Sequence, residues 1–130
     1  MASKIVRLSD GTNALYTEMA VKTGAFTPVD GVTANDVRVI QVGNIVQISM
    51  FLNLNTALPS SETALGTISG IKHPVKTERY LCGGGNTAYT ADTPVYVLIN
   101  SSGEIKASTR QSTSVKTIDV EIMYIANSFS

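Results

Sequence analysis

Val37-Arg-Val-Ile-Gln-Val42, then Gly43-Asn44, then Ile45-Val-Gln-Ile-Ser-Met-Phe-Leu-Asn-Leu54 form two runs of β-branched and apolar residues around a two-residue break. Branched side chains suit a pleated surface, and Gly-Asn between two such runs is hairpin chemistry. A turn of that length sets the register. Val42 should oppose Ile45, Gln41 oppose Val46, Val39 oppose Ile48 and Val37 oppose Met50. Side chains alternate across a strand, so one face carries Val37, Val39, Gln41, Val46, Ile48 and Met50, continued by Leu52 and Leu54. This face is nearly all apolar and is expected to meet the core. The other face carries Arg38, Ile40, Val42, Ile45, Gln47, Ser49, Phe51 and Asn53. It is mixed, and is expected to be partly wet or partly covered.

The rest of the chain reads in the same way. From Ile118 to Tyr124 the residues Ile118, Val120, Ile122 and Tyr124 alternate with Asp119 and Glu121, the pattern of a half-buried strand. Met123 and Ile125 turn the far end of its outer face apolar, which a neighbouring chain could cover. Phe51, Met123 and Ile125 are therefore the expected subunit contacts. Pro94 to Ile99 is apolar on both faces and reads as a central strand. Asn100-Ser-Ser-Gly103 is a turn, and Glu104 to Ala107 is the returning hairpin partner. Lys76 to Cys82 reads as a further strand. Lys4 to Leu8 and Asn13 to Tyr16 flank a turn at Ser9-Asp10-Gly11-Thr12, while Thr56 to Thr63 and Gly83 to Asn86 read as loops. The best helical window, residues 13 to 22, is weakened by Thr17 and Val21. Short strands spaced by turns predict an all-β antiparallel sandwich, jelly-roll-like. Residues 1–36, with Asp10-Gly11, Pro28 and Asp30-Gly31, read as an arm or connector, and residues 37–130 as the head domain.

Composition narrows the function classes. A chain of 130 residues suits one domain. Ten basic residues balance ten acidic ones, so no basic excess exists to neutralise phosphates, and nucleic acid is not an expected partner. Zero net charge does little to hold copies apart. Only 15% of residues are charged, which suggests surface covered by a partner. The opening Met1-Ala2-Ser3-Lys4 leads into no secretory h-region, and no apolar run is long enough for a membrane span. The single cysteine, Cys82, excludes an intramolecular disulfide and a cysteine zinc site, and reads as a small buried hydrophobe.

No constellation argues for catalysis. Asp119 and Glu121 are the closest carboxylate pair, but alternation puts them on an outer strand face as solvated charges. His73, the single histidine, precedes Pro74 and has no Gly-x-Ser-x-Gly elbow to serve. Gly83-Gly84-Gly85 has no following Lys-Ser or Lys-Thr. Asp36, Asn86 and Asp92 are oxygen donors, but the calcium-loop spacing is missing. No metal and no cofactor are expected. Tyr80, Tyr89 and Tyr96 lie in or beside the stretch from Arg79 to Asp92, where ring faces and directional polar groups suit a sugar. The expected ligand-binding set is His73, Arg79, Tyr80, Asn86, Tyr89 and Asp92.

Several stretches, in order, resemble the C-terminal domains of bacteriophage tail-fibre, baseplate and head-fibre proteins. They are Val42-Gly-Asn-Ile-Val-Gln-Ile-Ser-Met50, Leu65-Gly-Thr-Ile68, His73-Pro74, Val95-Tyr-Val-Leu-Ile-Asn-Ser-Ser-Gly-Glu-Ile105 and Ile122-Met-Tyr-Ile-Ala126. The opening Lys4-Ile-Val-Arg-Leu-Ser-Asp-Gly-Thr12 resembles the start of short phage fibres. His73-Pro74 stands where the family more often has Arg-Pro. The resemblance implies a receptor-binding β-sandwich on the virion surface, homotrimeric, attached to other virion proteins through its N-terminal arm. It further implies a host cell-wall glycan as ligand or, in the alternative, a purely structural head-fibre or decoration role.

Overall fold

The computed structural model describes the backbone of residues 3–7 and 13–17, and residues 21–87, 92–110 and 114–126. These form eleven strands and no helix among the described residues. In chain order they are β1 (Ser3–Arg7), β2 (Asn13–Thr17), β3 (Val21–Thr23), β4 (Ala25–Pro28), β5 (Val32–Val42), β6 (Ile45–Leu54), β7 (Thr63–Ser69), β8 (Glu78–Gly85), β9 (Thr93–Ile99), β10 (Glu104–Ser108) and β11 (Thr117–Ile125). Strands β1 and β2 pair as a hairpin of their own, from Ser3 opposite Thr17 to Arg7 opposite Asn13. The other nine form one antiparallel sheet in the order β3-β5-β6-β11-β8-β9-β10-β7-β4.

The two ends of that sheet are consecutive in the chain. β3 pairs with β5, β4 pairs with β7, and only Gly24 separates β3 from β4. One extended path thus changes partners midway and brings the sheet nearly round into a barrel. The Gly24 amide still donates to Val39 O at 2.8 Å. The all-β antiparallel class stands as read. The division into two sandwiched sheets is not shown, because hydrogen bonding runs continuously from β3 to β4. β3, β4 and the first part of β5 fall within residues 1–36, the stretch read as an arm, and they are strands of this sheet.

The β5–β6 hairpin forms as its turn dictates. Gly43 takes a φ of 60°, which the first central residue of a primed turn requires. Val42 pairs with Ile45, Gln41 with Val46 and Val39 with Ile48. Val39, Val46, Ile48, Met50 and Leu52 are buried, each burial contributing about 1.5–3 kcal/mol. Gln41, on the same face, is only 3% exposed. Its amide is satisfied at both ends, donating to Gly43 O at 2.7 Å and accepting from the Lys72 amide at 2.9 Å.

Val37 is a correction. The register shifts between Asn35 and Arg38, so that Asn35 opposes Phe51 while Arg38 opposes Ser49. Asp36 and Val37 together face Met50, and Asp36 takes a φ of 52°. This is a β-bulge with its first residue left-handed, a conformation that Asp tolerates better than most residues. The extra residue turns Val37 outward, 42% exposed.

The remaining core comes from alternate residues of the other strands. Ile118, Val120, Ile122 and Tyr124 of β11 point inward, as do Val95, Val97 and Ile99 of β9 and Ile105 and Ala107 of β10. The β9–β10 turn is held by Asn100, whose Oδ1 accepts from the Ser102 and Glu104 amides, both at 3.0 Å. Gly103 completes it at a φ of 80°.

The stretch read as a loop at Gly83–Asn86 is strand as far as Gly85. Gly83–Gly85 extends β8, with Gly84 opposite both Ile118 and Thr93. A Cβ on Gly84 would lie 2.7 Å from both Thr117 O and Val95 Cγ2, so the glycine permits a close approach rather than a bend. Leu65–Ile68 lies in β7, whose partner β10 shifts register between Ile105 and Lys106. That irregularity buries Leu65 and Ile68 three residues apart and hides the strand's alternation.

β8 and β11 pair only from Gly83–Gly85 to Thr117–Asp119, whereas β11 stays paired with β6 as far as Ile125. Beyond Asp119 the two strands splay. The Tyr80 hydroxyl donates to Met123 O at 2.8 Å, and the Cys82 thiol reaches Glu121 O at 4.0 Å. Side chains here stand in for strand pairing.

Candidate functional site

The outer face of β8, β9 and β10 carries a shallow dish of about 240 Å³, with Glu62, Arg79, Tyr96, Leu98, Ser108 and Arg110 in its lining. Strand register explains the gathering. Arg79 of β8 and Lys106 of β10 both oppose Leu98 of β9, and Leu81 and Ser108 both oppose Tyr96. Leu98 and Tyr96 therefore make an apolar floor on adjacent rows of one face, with Arg79 beside it. Leu98 is buried although it lies outside the barrel, since the long stems of Arg79 and Lys106 flank it.

Arg110 closes one side. Its guanidinium carbon stands 4.3 Å from the centroid of the Tyr96 ring, a cation–π contact. Its backbone φ is 56°, a left-handed conformation that costs a non-glycine residue about 1–2 kcal/mol. Lys106 is tied to Glu104 at 3.5 Å, while neither Arg79 nor Arg110 has an ion-pair partner among the described residues.

Of the six residues expected to bind a ligand, the five that are described do not converge. Arg79 and Tyr80 line the dish. His73 belongs to the scaffold. Its Nε2–H donates to Ile68 O at 2.9 Å, and its ring lies against Gly103, where a Cβ would come within 2.5 Å of Nε2. Asn86 Oδ1 accepts from the Ser114 hydroxyl at 3.2 Å, and Asp92 Oδ1 from the Thr93 hydroxyl at 3.2 Å. Tyr89 lies outside the described residues. Asp36 is separated from β8, and so from Asn86, by β6 and β11, a gap of roughly 14 Å at ordinary strand spacing. Glu62 and Arg110 carry no sequence signal of their own. They reach the dish only through the pairing of β7, β10 and β9.

Tyr80 also faces inward, against the core. Burial, with Glu78 and Cys82 nearby, pushes its phenol up to about 12. Tyr124, whose hydroxyl donates to Lys72 O at 2.6 Å, is raised by burial and by Tyr80. Burial raises the Cys82 thiol, a bond to the Glu121 backbone opposes this, and Asp119 and Glu121 add to the rise. None of the three is tuned towards reactivity at neutral pH.

A second surface feature crosses four strands. Val21 opposes Val42, Val42 opposes Ile45, and Ile45 opposes Ile125, one unbroken row over β3, β5, β6 and β11. All four are exposed, Ile45 by 50% and Ile125 by 56%. Met123, 61% exposed, stands one row further on, opposite Gln47. Phe51 is half-buried, opposite Asp119 and Asn35. It lies six residues along β6 from Ile45, so it does not join this patch.

No protein-family model matches the chain, and no curated protein matches it.

Proposed function

We propose that the chain is a bacteriophage fibre or baseplate protein that holds a host cell-surface saccharide on a homotrimeric β-domain. The observation that carries this reading is the dish on β8–β10. Leu98 and the edge of Tyr96, whose ring face carries the Arg110 guanidinium, offer an apolar floor to a sugar ring, and Glu62, Arg79, Ser108 and Arg110 surround it with donors and acceptors. The finer class proposed for the fold is the jelly-roll-like sandwich, in which the near-closed sheet forms two facing walls. The proposed location is the virion surface, with attachment to other virion proteins through the residues that precede β3.

The test is binding of the purified chain to a panel of host wall saccharides, together with competition against virion adsorption. Binding should be lost in Tyr96→Ala with the fold intact. Failure to bind any wall saccharide, with no effect on adsorption, would count against the reading.

The alternative is a structural virion subunit without a ligand. It is favoured by the row Val21–Val42–Ile45–Ile125, which suits contact between copies. Light scattering of the wild type and of Ile45→Asp distinguishes assembly from its absence. A wild type that is monomeric at micromolar concentration would refute the trimer. Deleting residues 1–20, which leaves the nine-stranded sheet whole, tests whether that segment makes the particle contact.

A further inference from the structure

Resting on the saccharide reading, we propose that the dish selects an acidic saccharide, with the anionic substituent held between Arg79 and Arg110 while the sugar ring lies over Leu98 and the edge of Tyr96. Three observations converge on this.

The first is charge. Two arginines and one carboxylate, Glu62, line the dish. Neither arginine is neutralised by an ion pair among the described residues, although the neighbouring Lys106 is bonded to Glu104. In a chain whose formal charges cancel overall, this is a local positive excess. A guanidinium presents a planar fork of donors that matches a carboxylate or a phosphate oxygen pair.

The second is preorganisation. Arg110 is held with its guanidinium against the Tyr96 ring at 4.3 Å, which fixes the fork at the rim instead of leaving it to wander. The backbone of Arg79 is held by strand pairing opposite Leu98, which sets the place from which its side chain reaches the dish. The third is backbone strain. The left-handed conformation of Arg110 is one that glycine or asparagine would adopt at less cost. An arginine kept there, and aimed over a ring that lines a dish, is placed for what its side chain holds.

A carboxylate on a uronic acid and a phosphate on a polyol chain share this chemistry, and the probes separate them. Binding of the full chain is measured to polygalacturonate, to its carboxyl-reduced neutral form and to polyglycerol phosphate, alongside neutral wall polysaccharides, at low and at physiological salt. The expected result is that at least one of the two anionic polymers binds about tenfold more tightly than the neutral polymers, and that this preference shrinks with added salt. Arg79→Gln should lose the preference. Arg110→Gly should still fold, because relief of the left-handed backbone offsets the lost ring contact and the freer unfolded chain, and should lose the preference, which separates the side chain's role in binding from any role in folding. Glu62→Gln should strengthen binding to the anionic polymer. Equal binding of neutral and acidic polymers overturns the acidic preference and leaves the saccharide reading standing. No binding to any polymer overturns both.

Discussion

Gly24→Ala tests the closure of the barrel. Gly24 sits where one extended path leaves β5 and joins β7, and its missing side chain faces a crowded point. An added Cβ would lie 2.6 Å from Ser69 O, 2.7 Å from Val39 Cγ1 and 3.0 Å from Ile71 Cγ2. The first of these is backbone of β7 and cannot rotate away. The second belongs to a fully buried core residue. Forcing an extra carbon into such a site costs about 1–3 kcal/mol. Against this, alanine restricts the unfolded chain more than glycine does, worth about 0.4–1 kcal/mol in the other direction. The net expectation is a loss of about 1–2 kcal/mol, or roughly 3–8 °C in thermal midpoint for a domain of this size. Urea unfolding followed by far-ultraviolet circular dichroism, at one fixed protein concentration, measures it. Amide exchange should also quicken at position 24, whose N–H donates to Val39 O. A variant with an unchanged or higher midpoint would show that β3 and β4 are not joined through so tight a point, and the near-closure would fall with it.

Ile48→Ala should cost about 2–5 kcal/mol, whereas Val37→Ala should stay within about 0.5 kcal/mol. Equal losses in urea unfolding would argue against the Asp36–Val37 bulge. The Tyr80 phenol is raised to about 12, above its ordinary value of 10. Its neutral form is the one the fold favours, so its contribution is complete below pH 10 and is lost as pH climbs through 12. Urea midpoints should therefore drop over that interval, and Tyr80→Phe should flatten the drop while costing about 1 kcal/mol at neutral pH for the bond to Met123 O. Because burial raises the Cys82 thiol, iodoacetamide should label it much more slowly in the native protein than in urea. Comparable rates in the two states would contradict its placement against the core.

How far the sequence could be read depended on how local each cause was. Gly43-Asn44 determines its own turn, so the β5–β6 register follows from adjacent residues as far as Arg38. The period-two pattern of β11 needs no partner to be visible, and it places Ile118, Val120, Ile122 and Tyr124 inside with Met123 and Ile125 outside. Departures occur where one strand's geometry depends on another. The bulge at Asp36 turns Val37 outward, and the shift opposite Ile105 removes the alternation from β7. Glycine was read as loop chemistry at 83–85, which is strand, and at Gly84 its use is to let β11 and β9 come close. β3 and β4 are short and interrupted by Gly24, so neither carries a pattern long enough to recognise. The dish shows the same division. Arg79 and Tyr80 were legible beside a tyrosine-bearing strand, while Glu62 and Arg110 join them only across strand pairings. His73 looked available because it is the single imidazole, yet it is taken up by Ile68 O and the surface of Gly103.

The splay between β8 and β11 has a bearing on solubility. A β-strand that outruns its neighbour offers bare amides and carbonyls as a template for a foreign strand, and such templates seed aggregation. On β11 this stretch adjoins Met123 and Ile125, two exposed apolar side chains that would make the template adhesive. The Tyr80 hydroxyl and the Cys82 thiol occupy two of its carbonyls from the side. They act as gatekeepers, giving an incoming chain fewer acceptors to grip. Replacing both with alanine would uncover that template, with self-propagating deposits, rather than simple unfolding, as the expected consequence.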